Sequence, residues 1–414
     1  MLSICRNGHW MKVNMQTNWR TPVIVILAGA LIVNFSMGIR HGMGLFMLPL
    51  TSDVQMSREA FSFAIAVQNI CWGLFSPFLG MLADRHGAGR VIALTCVLYA
   101  LGLWGMELST TPLTLALSGG VIIGMAQAGC TVSVISGVIG RCTPPAQRQQ
   151  ALAISGAIGA CGMFYLTPLL HWVIADFGWR ASLMTASFLM LAVAPVAIVM
   201  TEPGRARHIA GVGQSAGAAI REACGERSFI LLCLGFFVCG IQVVFIGVHL
   251  PAYLRDAGMS GNTGVIALAL IAIGNIFGTY WWGMQGSRRP RRYLLSVIYL
   301  LRAIVIVVFL LVPLSPVSVY VFALLIGSLW LATVPLTNGL VAHIFGVNYL
   351  SMLAGVVFLA HQIGAFLGAW MGGFLFDRTG SYTSAWLITA GFGVFAALIH
   401  LPIREEPVKR LAPA

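Results

Sequence analysis

Residues 80–90 read Gly80-Met81-Leu82-Ala83-Asp84-Arg85-His86-Gly87-Ala88-Gly89-Arg90. Charge and glycine crowd into this stretch, while residues 60–79 before it and 91–106 after it carry no charged side chain. An uncharged apolar run of about 20 residues is the length that crosses a hydrocarbon core as a helix. The stretch is therefore read as a polar turn between two membrane-spanning helices. Gly80 and Gly87 permit close helix approach and a tight reversal. Asp84 is placed to accept hydrogen bonds from Arg90 or from a helix N-terminus.

Working outward, the same pattern recurs. Apolar segments run over 22–44, 58–82, 90–109, 112–140, 147–175, 180–200, 228–254, 261–285, 292–313, 316–342, 348–376 and 383–402. The expected fold is an all-α membrane protein with twelve transmembrane helices in two six-helix bundles. The expected division is a segment 1–21, a first bundle 22–200, a central loop 201–227, a second bundle 228–402 and a tail 403–414. The 414 residues are 58% hydrophobic and 9% charged, against roughly 25% charged in a soluble domain. That excludes a cytosolic enzyme, a disordered chain and a secreted scaffold. The first 21 residues lack the build of a cleaved signal peptide. The nine cysteines form no C-x-x-C pair and read as small buried hydrophobes, so no metal site, cofactor or disulfide framework is expected.

The net charge of +12 follows from topology. With both termini inside, the outer loops hold only Arg58, Arg180, Arg255 and Arg378. Arg40 and Arg302 lie within helices, and the other eighteen of the 24 lysines and arginines are cytoplasmic. The positive-inside rule fixes this orientation and leaves no reason to invoke nucleic acid. Features also repeat. Gly80-Met81 answers Gly283-Met284, Asp176-Phe177-Gly178 answers Asp377 to Gly380, and Asn34 and His41 answer Gln242 and His249. The offsets of about 200 residues indicate a duplicated six-helix unit, a plan that places a substrate near the midplane between halves.

None of the twelve carboxylates falls mid-membrane. Arg302 does, about 14 Å along its segment from Tyr293. An arginine at that depth keeps its proton and needs a partner. That partner is either an anionic substrate or the carbonyls of neighbouring helices. Arg40 and His41 sit about 27 Å from Pro22, near the expected outer end of the first segment, as a cationic entrance or as groups snorkelling to the interface. His361 lies near mid-depth, where it either binds the anion, carries a proton or packs. Asn34 and Gln242 join these four as expected substrate contacts, with interhelical hydrogen bonding as the alternative.

The 80–90 stretch resembles the G-x-L-a-D-r-x-G-r-r loop of the major facilitator superfamily. In that superfamily the cluster matching Gly80, Asp84, Arg85, Gly87 and Arg90 acts as a conformational latch on the cytoplasmic side, and segment nine is usually peripheral. The second copy departs, with Ser287 where Asp84 stood. Three stretches resemble the monocarboxylate and oxalate–formate porter branch: Gly38 to Phe46, Pro168-Leu169 with Phe177 to Arg180, and Gly372 to Tyr382. The resemblance implies a secondary active transporter of small organic anions, monocarboxylates above all, as proton symporter or anion exchanger, acting by alternating access and expected as a monomer. The brevity of the chain, its short outer loops and the lack of an N-x-S/T sequon outside a helix point to a bacterial plasma membrane. His361 would be the proton-coupling residue. The eighth segment departs, carrying neither arginine nor aspartate. The G-P-x-x-G-G signature of drug/proton antiporters is absent from the fifth segment, which reads Gly156-Ala157-Ile158-Gly159. Efflux of small hydrophobic or neutral compounds and a transport-incompetent membrane sensor stay open as alternatives. No paired carboxylates mark an enzyme.

Overall fold

The computed structural model describes residues 21–130, 134–135, 138–139, 142–143, 148–201, 216–346 and 350–408, with the side chains of 84–86, 148–153, 156–157, 216 and 350–351 outside that description. The described residues are helical, without strands. The spanning elements are labelled α1 to α12. The first, α1, opens at Pro22–His41 on a Thr21 cap and continues through Gly42–Phe46 and Met47–Val54. Next come α2 (Arg58–His86), α3 (Ala88–Glu107) and α4 (Pro112–Cys130, with a π-helical turn at Ala116–Ile122). The pair α5 (148–177) and α6 (179–200) is one helical run broken only at Gly178, whose φ of 87° reverses the chain. After a short helix Ala216–Gly225 come α7 (Arg227–Asp256), α8 (Gly261–Gln285) and α9 (Arg291–Leu311). Then follow α10 (Pro316–Ser328 and Thr333–Phe345, interrupted between), α11 (Leu350–Thr379) and α12 (Thr383–His400).

Eleven of these helical runs are long and apolar enough to cross a membrane. One of the eleven, Ile158–Met200, spans 43 residues, roughly 65 Å, and so needs the break at Gly178 to cross twice. Twelve spans result among the described residues.

The halves use the same pairing pattern. In the first, α1 packs on α5, α2 on α4 and α3 on α6. In the second, α7 packs on α11, α8 on α10 and α9 on α12. Glycine makes the closest of these approaches. A Cβ on Gly162 of α5 would stand 1.9 Å from the Asn34 carbonyl oxygen of α1. A Cβ on Gly364 of α11 would stand 1.8 Å from that of Phe237 of α7. These are the small-residue contacts that let helix backbones touch where lipid supplies no hydrophobic drive. The halves meet along α2–α11, α5–α8 and α1–α7.

Two expectations change here. The first segment does not end near residue 44, since α1 stays helical to Val54. Gly44 is there for contact, because a Cβ on it would lie 2.6 Å from the Gly247 carbonyl of α7. In the 80–90 turn, Gly87 has φ +94° and forms the reversal, whereas a Cβ on Gly80 would meet nothing within 4 Å. Gly80 is thus not a point of close helix approach. Arg90 is exposed. The side chains of Asp84 and Arg85 lie outside the described residues, so the expected latch stays an expectation.

Candidate functional site

With α1 running to Val54, Arg40 is 18 residues from one end and 14 from the other, about 27 Å and 21 Å, so it sits near mid-depth rather than at an entrance. Three amides surround it. Arg40 Nη1 donates to Gln68 Oε1 at 3.0 Å and to Gln127 Oε1 at 3.5 Å, and Nη2 donates to Asn69 Oδ1. Each amide is turned by its other end. Gln68 Nε2 donates to the Gly119 carbonyl at 2.8 Å and Asn69 Nδ2 to the Ile65 carbonyl at 2.7 Å. Gln127 Nε2 donates to the Tyr99 hydroxyl at 3.3 Å. With their nitrogens committed, all three present oxygen to the guanidinium. The ring of Trp72 lies 4.8 Å from it, in cation–π range.

The arithmetic of donors is informative. A guanidinium has five N–H groups. The partners of Arg40 among the described residues accept three, and none of those partners is a carboxylate. Two N–H groups remain on a half-buried cation, the number a carboxylate takes bidentately.

The facing side comes from α11. Gln362 Nε2 donates to the main-chain oxygen of Asn69 at 3.1 Å, joining the halves beside Arg40. That bond leaves Gln362 Oε1 to accept, so His361 Nδ1 is the protonated nitrogen in their 2.9 Å contact. The His361 ring stacks on Phe358, with centroids 5.9 Å apart, and leans on Phe236 at 4.9 Å. Phe358 meets Trp72 edge-on at 5.2 Å. A row of rings therefore crosses from Arg40 on one half to His361 on the other.

The other expected contacts are used up within the packing. Asn34 donates to the Ile158 carbonyl at 2.7 Å and accepts from the Tyr165 hydroxyl, tying α1 to α5. His41 Nε2 donates to the Leu268 carbonyl of α8 at 3.1 Å, a bond between halves. Gln242 donates to the Thr389 carbonyl of α12 at 3.2 Å and accepts from Arg302 at 3.2 Å.

Arg302 is 1% exposed. Its five N–H groups meet the carbonyls of Leu329 and Trp330, Gln242 Oε1 and Cys239 Sγ. Those carbonyls are free because α10 is interrupted after Ser328. The expectation of an anion at Arg302 gives way to the other reading, a cation that holds a broken helix together.

The two halves are pinned together at the end carrying Arg58, Asp256 and Asp377. Arg58 of α2 makes a bidentate pair with Asp256 of α7, one arm at 2.7 Å. Asp377 accepts from the Glu59 main chain at 2.7 Å, and Glu59 accepts from Trp370 Nε1 at 3.1 Å. Arg58 also donates to the Tyr382 hydroxyl at 3.3 Å, and burial pushes that phenol up to about 12. Asp256→Ala is expected to release one strut of this closure. An exposed pair of this kind stabilises by about 1 kcal/mol, so the population open at that end should rise about fivefold. Spin-label distances across the 58–256 end measure it, and an unchanged distribution refutes the strut.

The sequence pattern of the Major Facilitator Superfamily matches residues 26–369. The chain belongs to that superfamily and is a membrane transporter, not an enzyme. It is similar to the uncharacterized MFS-type transporter YcxA of Bacillus subtilis (strain 168), 25% identical over 408 residues, covering 94% of this chain and 96% of that protein. It is also similar to monocarboxylate transporter 11 of Mus musculus, 25% identical over 398 residues, covering 91% and 86%. Among solved structures it resembles a bacterial homolog to the human lysosomal transporter Spinster, in an inward-facing and occupied conformation. The TM-score is 0.74 at 19% identity, over 91% of this chain and 95% of that one. A D-xylose-proton symporter gives a TM-score of 0.73 at 14% identity, over 94% and 98%. These two likenesses speak for the fold alone.

Proposed function

We propose that this transporter carries small organic monocarboxylates across the plasma membrane by alternating access, with Arg40 as the anion's principal contact. The observation that carries the reading is the pair of N–H groups left on Arg40 amid neutral acceptors. A cation so placed would be costly in a site built for cations or neutral drugs, and it is matched to one carboxylate. Arg302 is enclosed, so among the described residues no second guanidinium in these helices offers itself to a dicarboxylate. Relatives bearing the name monocarboxylate transporter support the class.

In the proposed cycle both termini are cytoplasmic, and the conformation described is one pinned together at the opposite end by Arg58–Asp256 and Asp377–Glu59. The anion displaces water from Arg40, and the α2–α11 contact through Asn69 and Gln362 transmits occupancy to the second half. His361, with Nδ1 held by Gln362, is the proposed proton-coupling residue of a symport cycle. Exchange of one anion for another is the second reading, favoured by the scarcity of other titratable groups along this row.

Proteoliposomes separate the outcomes. Radiolabelled monocarboxylate is expected to enter vesicles preloaded with the same acid, while the corresponding amide neither enters nor competes. A pH gradient alone driving uptake identifies symport. Dependence on internal anion identifies exchange. Uptake of amide and acid at equal rates would refute the anion reading.

A further inference from the structure

Beyond Arg40 the site offers rings in place of hydrogen-bonding groups. Trp72 and Phe358 are partly exposed, on opposite halves and in edge-to-face contact, and Phe236 continues the row behind His361. The neighbouring amides of Gln68 and Asn69 spend both ends on Arg40 and on main-chain carbonyls. They leave little for the hydroxyls of a sugar acid. The indole Nε1 of Trp72 is buried without a hydrogen-bond partner among the described residues, so the residue presents its ring and not its N–H.

We propose that the preferred cargo is an arylalkyl monocarboxylate, its carboxylate on Arg40 and its ring against Trp72 and Phe358. This rests on the anion reading above and narrows it. The Trp72–Phe358 pair joins the two halves, so a ring lodged there meets both at once, and an aromatic contact is favourable beyond the area it buries. A short acid such as propionate would satisfy Arg40 and leave the rings to water.

Calorimetric titration of the purified full-length protein with propionate, 3-phenylpropionate and 3-phenylpropionamide tests this. 3-Phenylpropionate is expected to bind at least about tenfold more tightly than propionate. Trp72→Ala is expected to close that gap, weakening 3-phenylpropionate about tenfold more than it weakens propionate. Phe358→Leu keeps an apolar side chain at that position and is expected to narrow the gap, a check that stands if Trp72→Ala does not fold. Equal binding of the two acids, or a gap untouched in both variants, overturns the aryl preference and leaves the anion reading standing. An amide that binds as tightly as its acid overturns both.

Discussion

Arg40→Gln is expected to abolish monocarboxylate transport while the protein still inserts and folds. The glutamine amide replaces only part of the donor set of the three amides, at a stability cost of about 1–3 kcal/mol per stranded oxygen, while each amide keeps its bond to Gly119, Ile65 or Tyr99. What disappears is the positive charge and the two N–H groups reserved for the anion. Hydrogen bonds to a charged group are worth about 1.5–3 kcal/mol each, so two represent about 3 kcal/mol or more, at least about a hundredfold in affinity. Arg40→Lys keeps the charge without the fork and should fall between. Proteoliposome uptake with a matched thermal-stability measurement reads both effects, and wild-type uptake by the glutamine variant would refute the assignment.

Arg302→Gln should do the opposite, costing stability and sparing affinity. Its guanidinium serves the carbonyls of Leu329 and Trp330 and the amide of Gln242 inside the second half. Removing it strands buried acceptors at about 1–3 kcal/mol apiece. The variant is expected to lose about 3 kcal/mol or more of stability, or to fail to accumulate. Surviving protein should bind carboxylate with the wild-type dissociation constant. Normal melting with lost binding would mean that Arg302, after all, touches the cargo.

The contrast between these arginines marks how far the sequence can be read. Both were visible as cations within helices without nearby carboxylates, Arg302 at mid-depth and Arg40 near the outer end. Depth follows from counting residues along a helix, but which neighbours a side chain meets follows from the packing around it. For Arg302 one signal was present. Pro335 cannot donate to the Leu331 carbonyl four residues earlier, which disfavours continuous helix there, and the break frees the carbonyls that Arg302 takes. For Arg40 the obstacle was α1 itself. Gly42 and Gly44 look like the end of a helix, yet Gly44 is needed because α7 presses against it. The true length of α1 moves Arg40 from the rim to the middle. The twelve spans and the duplicated plan were legible because each depends on local composition. Trp72 and Phe358 were not, since an aromatic residue on an apolar helix looks the same whether it faces lipid, core or cargo. The spacing of Gln68, Asn69 and Trp72 along one face of α2 was the available hint.

The most direct measurement is a crystal structure of the protein soaked with 3-bromopropionate, located by the anomalous signal of bromine. The carboxylate is expected within hydrogen-bond distance of the Arg40 guanidinium, about 3 Å, with bromine toward Trp72 and Phe358. An anomalous peak elsewhere in the transmembrane region, with Arg40 still held only by Gln68, Asn69 and Gln127, would contradict it.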